Sequence, residues 1–559
     1  FSVSTDGEYL ALIKPDGASV ATEFSPSFPI QYRDVSYGIA DVYEDGVFIG
    51  QDWRYFLTPT PNAPNGEGVI GIVEPVETSV AHGFFQAPFF LQLQTATLSA
   101  EIYYTYDGSI PSPENAAAIA YQAPVRIDRT TVFRAAAYRE DYGPSPVTTQ
   151  TYIFLEDVLT QTIDRLNPVN NPFGLDYIAP WKGIPGDFNM DPSVVATWDD
   201  NNPQNDDYGI RQSLQSLPTM SIVTAHDDMW SYWDGIYPQA EEQGPEWRRP
   251  GSIEYIDPST GENWQHNVGV QIHGVSGRNP WHNKKHSFRL IFNPDFGGPD
   301  RLNFPLFDQS SFADINTVVL KASNQDSFPT RTITNYISPL AATYIKDAWF
   351  METSRAMGHF APEFTYVHLY VNGLYWGIYG AMERIDDAMV ASHLGGEPED
   401  WDIIKPQGET IGSYQVWNDM IGIVRQIPYN SPATADAIYF QLQGLNPDGT
   451  RNLAYPVYLD MASLIDYLVL HYYAGSQEWV GQNYAYVRNR VDPGTGFKFI
   501  PWDQENSLDE FDRDLTYYDA SQGLYADAPE LSYYLRRSPE FWMRMADRIN
   551  LHLSDGGAL

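Results

Sequence analysis

Glu478, Asn483, Asp503 and Glu505 fall within one segment, SQEWVGQNYAYVRNRVDPGTGFKFIPWDQEN. Residues 483–490 and 497–503 alternate as strands, and VDPGTG between them reads as a turn. Pairing the strands symmetrically about Pro493 predicts Asn483 opposite Asp503 at the open end of the hairpin. An amide oxygen beside carboxylates is a hard-oxygen set suited to Mg2+ or Mn2+, with Glu505 as a third ligand. Glu478, a few residues upstream, could orient a hydroxyl and take its proton. Two other readings of the same residues stand beside this one. The segment could be a core hairpin that ends in acids. Alternatively, Glu478 and Asp503 could face each other across a cleft as the carboxylate pair of a glycosidase.

A cationic strand offers the complementary chemistry. In NVGVQIHGVSGRNPWHNKKHSFRLIF, Val268, Val270 and Ile272 alternate with polar residues, then a loop of small and amide residues follows. Lys285, Ser287, Arg289 and Ile291 share one face of the next strand, while His286, Phe288, Leu290 and Phe292 share the other. A strand, a small-residue loop and a second strand with a lysine is how kinase folds cover a nucleotide. In that reading Ser276 and its neighbours approach phosphate, and Lys285 and Arg289 supply charge. The plainer reading is an exposed hairpin with solvated cations.

Other elements must hold these groups in place. Tyr366–Val371 and Leu374–Tyr379 flank Asn372-Gly373, the strongest short hairpin signal. A helix is expected next, with Glu383, Arg384, Asp386 and Asp387 near its start. Those acids suit the helix dipole, or Glu383 pairs with a cation of the nucleotide site. In LDMASLIDYLVLHYYAG, Asp460 is expected to cap a helix that breaks at Gly475. Loop acid, loop Asn, hairpin and second Asp is the order in which kinases present base, metal ligand and metal ligand.

The 559-residue chain is too long for one ordinary core. Its 72 Asp and Glu against 33 Lys and Arg give a formal charge of −39, a field that argues against nucleic-acid partners. With no cysteine, disulfides, thiolate metal sites and cysteine nucleophiles are excluded. No apolar run is long enough for a transmembrane segment. The chain opens already alternating like a strand, so its N-terminus is expected to lie upstream, and an exported, extracellular or cell-surface bacterial protein is expected.

Two β modules are expected to precede the large domain. Residues 1–56 resemble the end of a lamin-tail-type β-sandwich at Phe1, Asp6, Gly7, Leu10, Asp34, Ser36, Tyr37 and Gly38. Residues 57–77 read as a linker. Residues 78–154 alternate with frequent turn signals and resemble the chitobiase/hexosaminidase C-terminal-type, immunoglobulin-like sandwich. Tyr104, Thr105, Asp107, Gly108, Pro111, Tyr121, Pro124, Thr130, Thr131, Arg134 and Ser145 carry that resemblance. Residues 155–215 begin with an expected helix and turn irregular. Within them, WDDNNPQNDDYG reads as a solvated acidic loop, or as a structural Ca2+ loop without EF-hand spacing. Residues 216–515 are expected to form a large α+β domain, and 516–559 two closing helices.

The large domain resembles the CotH (spore coat protein H) kinase family. LPTMSIVT, GIY at 235–237, SGR with KHSFRLIF, VHLYVNGLYWGIYGAMER, Trp479 with Asn483, and FIPWDQE carry the likeness. The resemblance implies an atypical protein-kinase-like fold, Lys285 on phosphate, and Asn483 and Asp503 on metal. The family usually has Asp where this chain has Glu478 and Glu505, so each side chain is one methylene longer. The function expected is transfer of a γ-phosphoryl group from ATP to a protein hydroxyl, with Mg2+ or Mn2+. The alternative is a non-catalytic surface or matrix protein that partners proteins or glycans through a kinase-like scaffold.

Overall fold

The computed structural model describes residues 7–32, 35–161, 189–191, 194–195, 209–279, 282–307, 314–328, 342–406, 410–510, 514–516, 526–554 and 556–559. The N-terminal region is β-rich. Leu10–Ile13 pairs antiparallel with Val20–Phe24, and Gly17 in the turn between them has a φ of 72°. Ser36–Glu44 and Val47–Phe56 form a longer hairpin, with Asp45 and Gly46 both at positive φ. A five-stranded sheet follows, in the order Ile119–Ala120, Glu101–Thr105, Thr131–Tyr138, Thr148–Phe154 and Gly83–Phe85. Its core gathers Leu91, Ile127, Phe133, Ala135, Ala137 and Tyr152.

The expected helix from Leu155 stops at Leu159, and the run from residue 162 on lies outside the described residues. So does the acidic loop at 198–208. Gln161, at the end of the described part, exchanges side-chain hydrogen bonds with the backbone of Tyr375.

The next seven strands close into a barrel. In chain order they are β1 (Thr219–Thr224), β2 (Arg249–Ile256), β3 (Asn263–His273), β4 (Ser287–Ile291), β5 (Thr317–Lys321), β6 (Phe364–Val371) and β7 (Leu374–Glu383). Around the barrel the order is β1-β2-β3-β4-β5-β7-β6, and β6 closes it by pairing parallel with β1. Alternation assigns the faces. Val270, Ile272, Phe288, Leu290, Val318 and Leu320 fill the inside. Gln271, His273, Arg289, Val319 and Lys321 therefore point outward. Asn372 and Gly373 turn β6 into β7 at φ 47° and 80°.

Helix α1 (Lys346–Ala356) enters between β5 and β6. Past the barrel, α2 (Asp387–Leu394) precedes β8 (Trp401–Ile404), α3 (Gln415–Val424), α4 (Pro432–Leu442) and α5 (Met461–Ala474). Then come β9 (Tyr484–Asn489), β10 (Lys498–Pro501), α6 (Ala528–Leu535) and α7 (Pro539–Leu553). β8, β9 and β10 form a three-stranded sheet against the helices. Trp417, Leu468, Trp479, Tyr486, Phe499, Leu531 and Phe541 share that second core. The closing helices start as expected of their sequence: Asp527 and Ser538 cap them, each with proline in the first turn.

Two local expectations need correction. Glu383 ends strand β7 rather than opening a helix; the helix starts at Asp387, capped by Asp386. The β9–β10 register is one residue off symmetry about Pro493, since Tyr484 faces Pro501 and Tyr486 faces Phe499. A bridge from Phe497 to Leu459 sets this register, and Gly496 lies so close to that backbone that a Cβ would meet Leu459 N at 2.6 Å.

Candidate active site

Helix α5 delivers the loop that carries Glu478. Asp460 accepts from the Ser463 amide to start the helix, and Gly475 ends it in the left-handed region at φ 60°. Trp479 is 2 % exposed and stacks on His471 at 4.8 Å, anchoring the loop in the core. Gln477 donates its amide to the Asn506 carbonyl, and Gly481 donates its amide to Asp527. Glu478 is thus held on a pinned loop. Burial raises its carboxyl above the ordinary range, and the Asp503 charge adds to that; hydrogen bonds from Asn506 and Asn483 oppose it.

Asn483 and Asp503 still meet despite the shifted register. Both leave the extended region, at φ 49° and 55°. The Asn483 amide then donates to the Asp503 main-chain carbonyl at 2.9 Å. Asp503 and Glu505 project into one cluster with Asp347 from the first turn of α1. One oxygen from each of the three lies within 4.8 Å of the others. Among them sits the ammonium of Lys321, the last residue of β5. It contacts Asp347, lies 2.7 Å from Asp503 and 3.0 Å from Glu505. Burial alone would depress this lysine, but the three carboxylates hold it well above its ordinary value.

Glu505 is 5 % exposed, and burial pushes its carboxyl up to about 8; Lys321 opposes that, while Asp503 and Asp347 add to it. One oxygen accepts from the Gln325 amide at 3.0 Å. The other, Oε1, is buried and lies off the hydrogen-bonding direction of Lys321 although only 3.0 Å away. A buried carboxylate oxygen without a hydrogen bond, in a cluster where acids outnumber the one lysine, fits a hard divalent cation. Asp347, Asp503 and Glu505 would hold it, with Asn483 and Glu478 next to them.

The structure therefore brings together Glu478, Asn483, Asp503 and Glu505, and adds Lys321 and Asp347. It places the other sequence candidates elsewhere. Lys285 donates to the Trp376 carbonyl at 2.7 Å and sits 4.3 Å over the Trp376 ring. It makes no ion pair with Asp503 or Glu505. The ring face and carbonyl compensate its charge locally, and it lines a small pocket with Ala322, Tyr344 and Tyr375. Glu383 lies 2.7 Å from His393 and accepts from the Glu363 amide, so it serves the strand end rather than the acid cluster. Ser276 accepts from the Asn324 side chain at 3.2 Å, next to Gln325, which binds Glu505. The small-residue loop therefore leans on the backbone that carries the cluster. Arg289 stands on the outer barrel face, opposite Val319 on β5, and its Nε is buried without a hydrogen bond.

Sequence reasoning missed Lys321 and Asp347. The available signal was a buried run, TVVLK, ending in a lysine on the outward alternation, and an acid in the first turn of the helix that follows.

Comparison with known families gives two matches. The model described as CotH kinase protein matches residues 270–555. The model described as Fn3 associated matches residues 91–152, the β module packed against the barrel. No curated protein matches the chain.

Proposed function

Because the chain belongs to the CotH kinase protein family, we propose that it is a phosphotransferase that moves the γ-phosphoryl group of ATP to a protein hydroxyl. The observation that carries this reading is the convergence of Lys321 with Asp347, Asp503 and Glu505, beside Glu478 and Asn483. A strand lysine paired to an acid on the next helix, then a loop acid, a loop Asn and a post-hairpin Asp, is the order of parts in protein kinases. The succession β3-β4-β5-β7-β6, with α1 inserted after β5, supports a kinase-like arrangement.

Each residue then has a task. Lys321 contacts phosphate oxygens, and Asp347 fixes where its ammonium sits. Asp503 and Glu505, with Asp347 and with Asn483 next to them, would hold Mg2+ or Mn2+, which would supply charge neutralisation at the phosphates. Glu478 accepts the hydroxyl proton as the acceptor oxygen bonds to γ-phosphorus and the bond to the bridging oxygen breaks. Its raised pKa makes it a better proton acceptor than an ordinary carboxylate. The resident Trp479 anchor keeps that carboxylate from drifting, which matters because an ångström of misplacement costs roughly a hundredfold in rate.

The second reading is a non-catalytic protein of the cell exterior. The extra methylenes of Glu478 and Glu505 favour it, as do the acidic surface and the N-terminal β modules. Those modules would be accessory, of lamin-tail and chitobiase types, and would face matrix proteins or glycans. Thermal unfolding with ATP and Mn2+, together with autophosphorylation from labelled ATP, separates the two. Ligand at a hundred times its Kd adds about 2.7 kcal/mol. No shift and no transfer, in a protein whose Asp503→Ala variant behaves identically, would remove the phosphotransferase reading.

A further inference from the structure

The residue between Asp503 and Glu505 is an amide whose every polar atom is engaged. Gln504 is 2 % exposed. Its side-chain oxygen accepts from the Ser476 hydroxyl. Its side-chain nitrogen donates to the main-chain carbonyls of Trp502 at 2.6 Å and Asn483 at 3.2 Å. Its own main-chain amide donates to Asp347 Oδ1 at 2.5 Å, and its carbonyl accepts from the Ser507 hydroxyl at 2.7 Å. Asp347 thus divides its two oxygens between the Gln504 amide and Lys321.

These partners share one logic. Ser476 and Asn483 are the two ends of the loop that carries Glu478, between α5 and β9. Trp502 leads from β10 into Asp503. A single side chain therefore grips both ends of the Glu478 loop and the backbone that presents Asp503 and Glu505. The Ser476 end is itself fixed, because Ser476 is buried and its amide donates to the His471 carbonyl at 3.2 Å. The partners also dictate the residue type. Two carbonyls need a nitrogen with two protons, and a hydroxyl proton needs an acceptor; a carboxamide supplies both from one group. A methionine of similar length would leave both carbonyls without that donor.

We propose that Gln504 is a positioning residue that sets where Glu478 stands relative to Asp503 and Glu505 and couples occupancy of the carboxylate cluster to the Glu478 loop. The first part rests on the phosphotransferase reading, which gives the position of Glu478 its meaning. The second part rests on the cluster alone. With Asp347, Asp503 and Glu505 drawn onto one divalent cation, the backbone on both sides of Gln504 is fixed. Both ends of the loop are then fixed through its side chain.

The test follows the loop and the turnover separately. Hydrogen exchange of residues 476–483 is measured by mass spectrometry, with EDTA and with saturating Mn2+, in wild type, Gln504→Met and Ser476→Ala. The Gln477 and Gly481 amides in that segment, bonded to Asn506 and Asp527, report its opening. Mn2+ should slow exchange there about tenfold in wild type and less than about twofold in Gln504→Met, while calorimetric Mn2+ affinity stays within about threefold. With ATP and Mn2+, Gln504→Met should lower kcat by about ten- to a hundredfold and change KM for ATP by less than about threefold. Ser476→Ala removes a single hydrogen bond and should show both effects in smaller measure, which keeps the comparison intact should Gln504→Met fail to fold. No Mn2+-dependent protection in wild type, or equal protection in wild type and the variants, overturns the coupling. Loss of Mn2+ affinity large enough to explain the whole effect also overturns it, since Gln504 would then only prop the carboxylates. Unchanged kcat in the variants of an active protein overturns the positioning role. Absence of transfer in wild type removes the phosphotransferase reading and leaves hydrogen exchange to decide the coupling.

Discussion

Glu505→Gln is expected to stabilise the protein at neutral pH while removing its response to divalent cations. Glu505 has an ordinary value of 4.5 and is pushed up to about 8 in the fold, by burial first and then by Asp503 and Asp347. A carboxyl whose folded pKa is raised binds more protons in the folded state than in the unfolded one. Stability from this group is therefore greatest below pH 4.5 and is lost as pH rises toward 8. Each unit in that window costs about 1.4 kcal/mol, so the group opposes folding by about 3 kcal/mol at pH 7 and by less than about 1 kcal/mol at pH 5. Gln keeps the shape and can still accept from the Gln325 amide, now at 3.0 Å. Lys321 keeps Asp347 and Asp503. The variant should thus gain on the order of 2–3 kcal/mol at pH 7 and almost nothing at pH 5. Denaturant unfolding of both proteins from pH 5 to 8, with EDTA and with 5-fold-stepped Mn2+ titration, measures it. Mn2+ should stabilise wild type most at high pH and leave Glu505→Gln nearly unchanged. Equal or lower stability of the variant at pH 7, or a difference that does not grow with pH, refutes the reasoning.

Lys321→Met should abolish phosphotransfer and cost about 3 kcal/mol at pH 8, because three carboxylates lose their shared cation; urea unfolding should show the loss shrinking toward pH 5. Glu478→Gln should lower kcat by about 10²- to 10⁴-fold with little change in ATP-induced thermal stabilisation, and equal kcat in the two proteins would remove Glu478 as the base. Trp479→Ala should destabilise by about 3–5 kcal/mol, since a fully packed ring leaves a cavity beneath the loop; calorimetric unfolding reads that directly. Glu254→Ala should destabilise by a comparable amount, read by the same method, because it strips partners from buried Thr151 and His82.

The local elements were legible because their signals are local. Asn372-Gly373, the Asp460 cap, the Gly475 stop and the closing helices each depend on residues within a turn of one another. The clustering of Glu478 with Asn483 and Asp503 was legible for the same reason, since a single hairpin joins them. The register was misplaced by one residue because Leu459, far from the turn in sequence, bridges to Phe497. Lys321 and Asp347 were missed because no spacing rule links them to Asp503: their meeting depends on closure of the barrel and on where α1 lands. Lys285 carried the same chemical credentials in sequence, and only tertiary packing distinguishes a lysine on the Trp376 ring from one among three acids. The parallel pairing of β1 with β6 was likewise invisible, because Thr219 and His368 are partners only after the intervening chain has folded.

The packing of the N-terminal β module bears on how the two functional readings relate. Glu254 is fully buried on β2, accepts from the Thr151 amide at 2.7 Å and from its hydroxyl, and lies 3.1 Å from His82 Nδ1. Thr151 also shares a hydrogen bond with Ser221 of β1 at 2.8 Å. A carboxylate stripped of these partners would be costly to leave buried, so the module buttresses the barrel rather than hanging from it. It does so through β1 and β2, whereas Lys321 and Arg289 sit on β5 and β4. A scaffold role for the module and chemistry at the cleft therefore do not compete for the same surface. The departures from the family pattern named above are Glu478 and Glu505. Of these, Glu505 has its length accommodated by the Gln325 amide, and Glu478 by Asn506 and Asn483. Carboxylates that were merely misplaced would not each meet a donor, so the longer side chains are built into this site, and Glu478→Asp should lower activity rather than raise it.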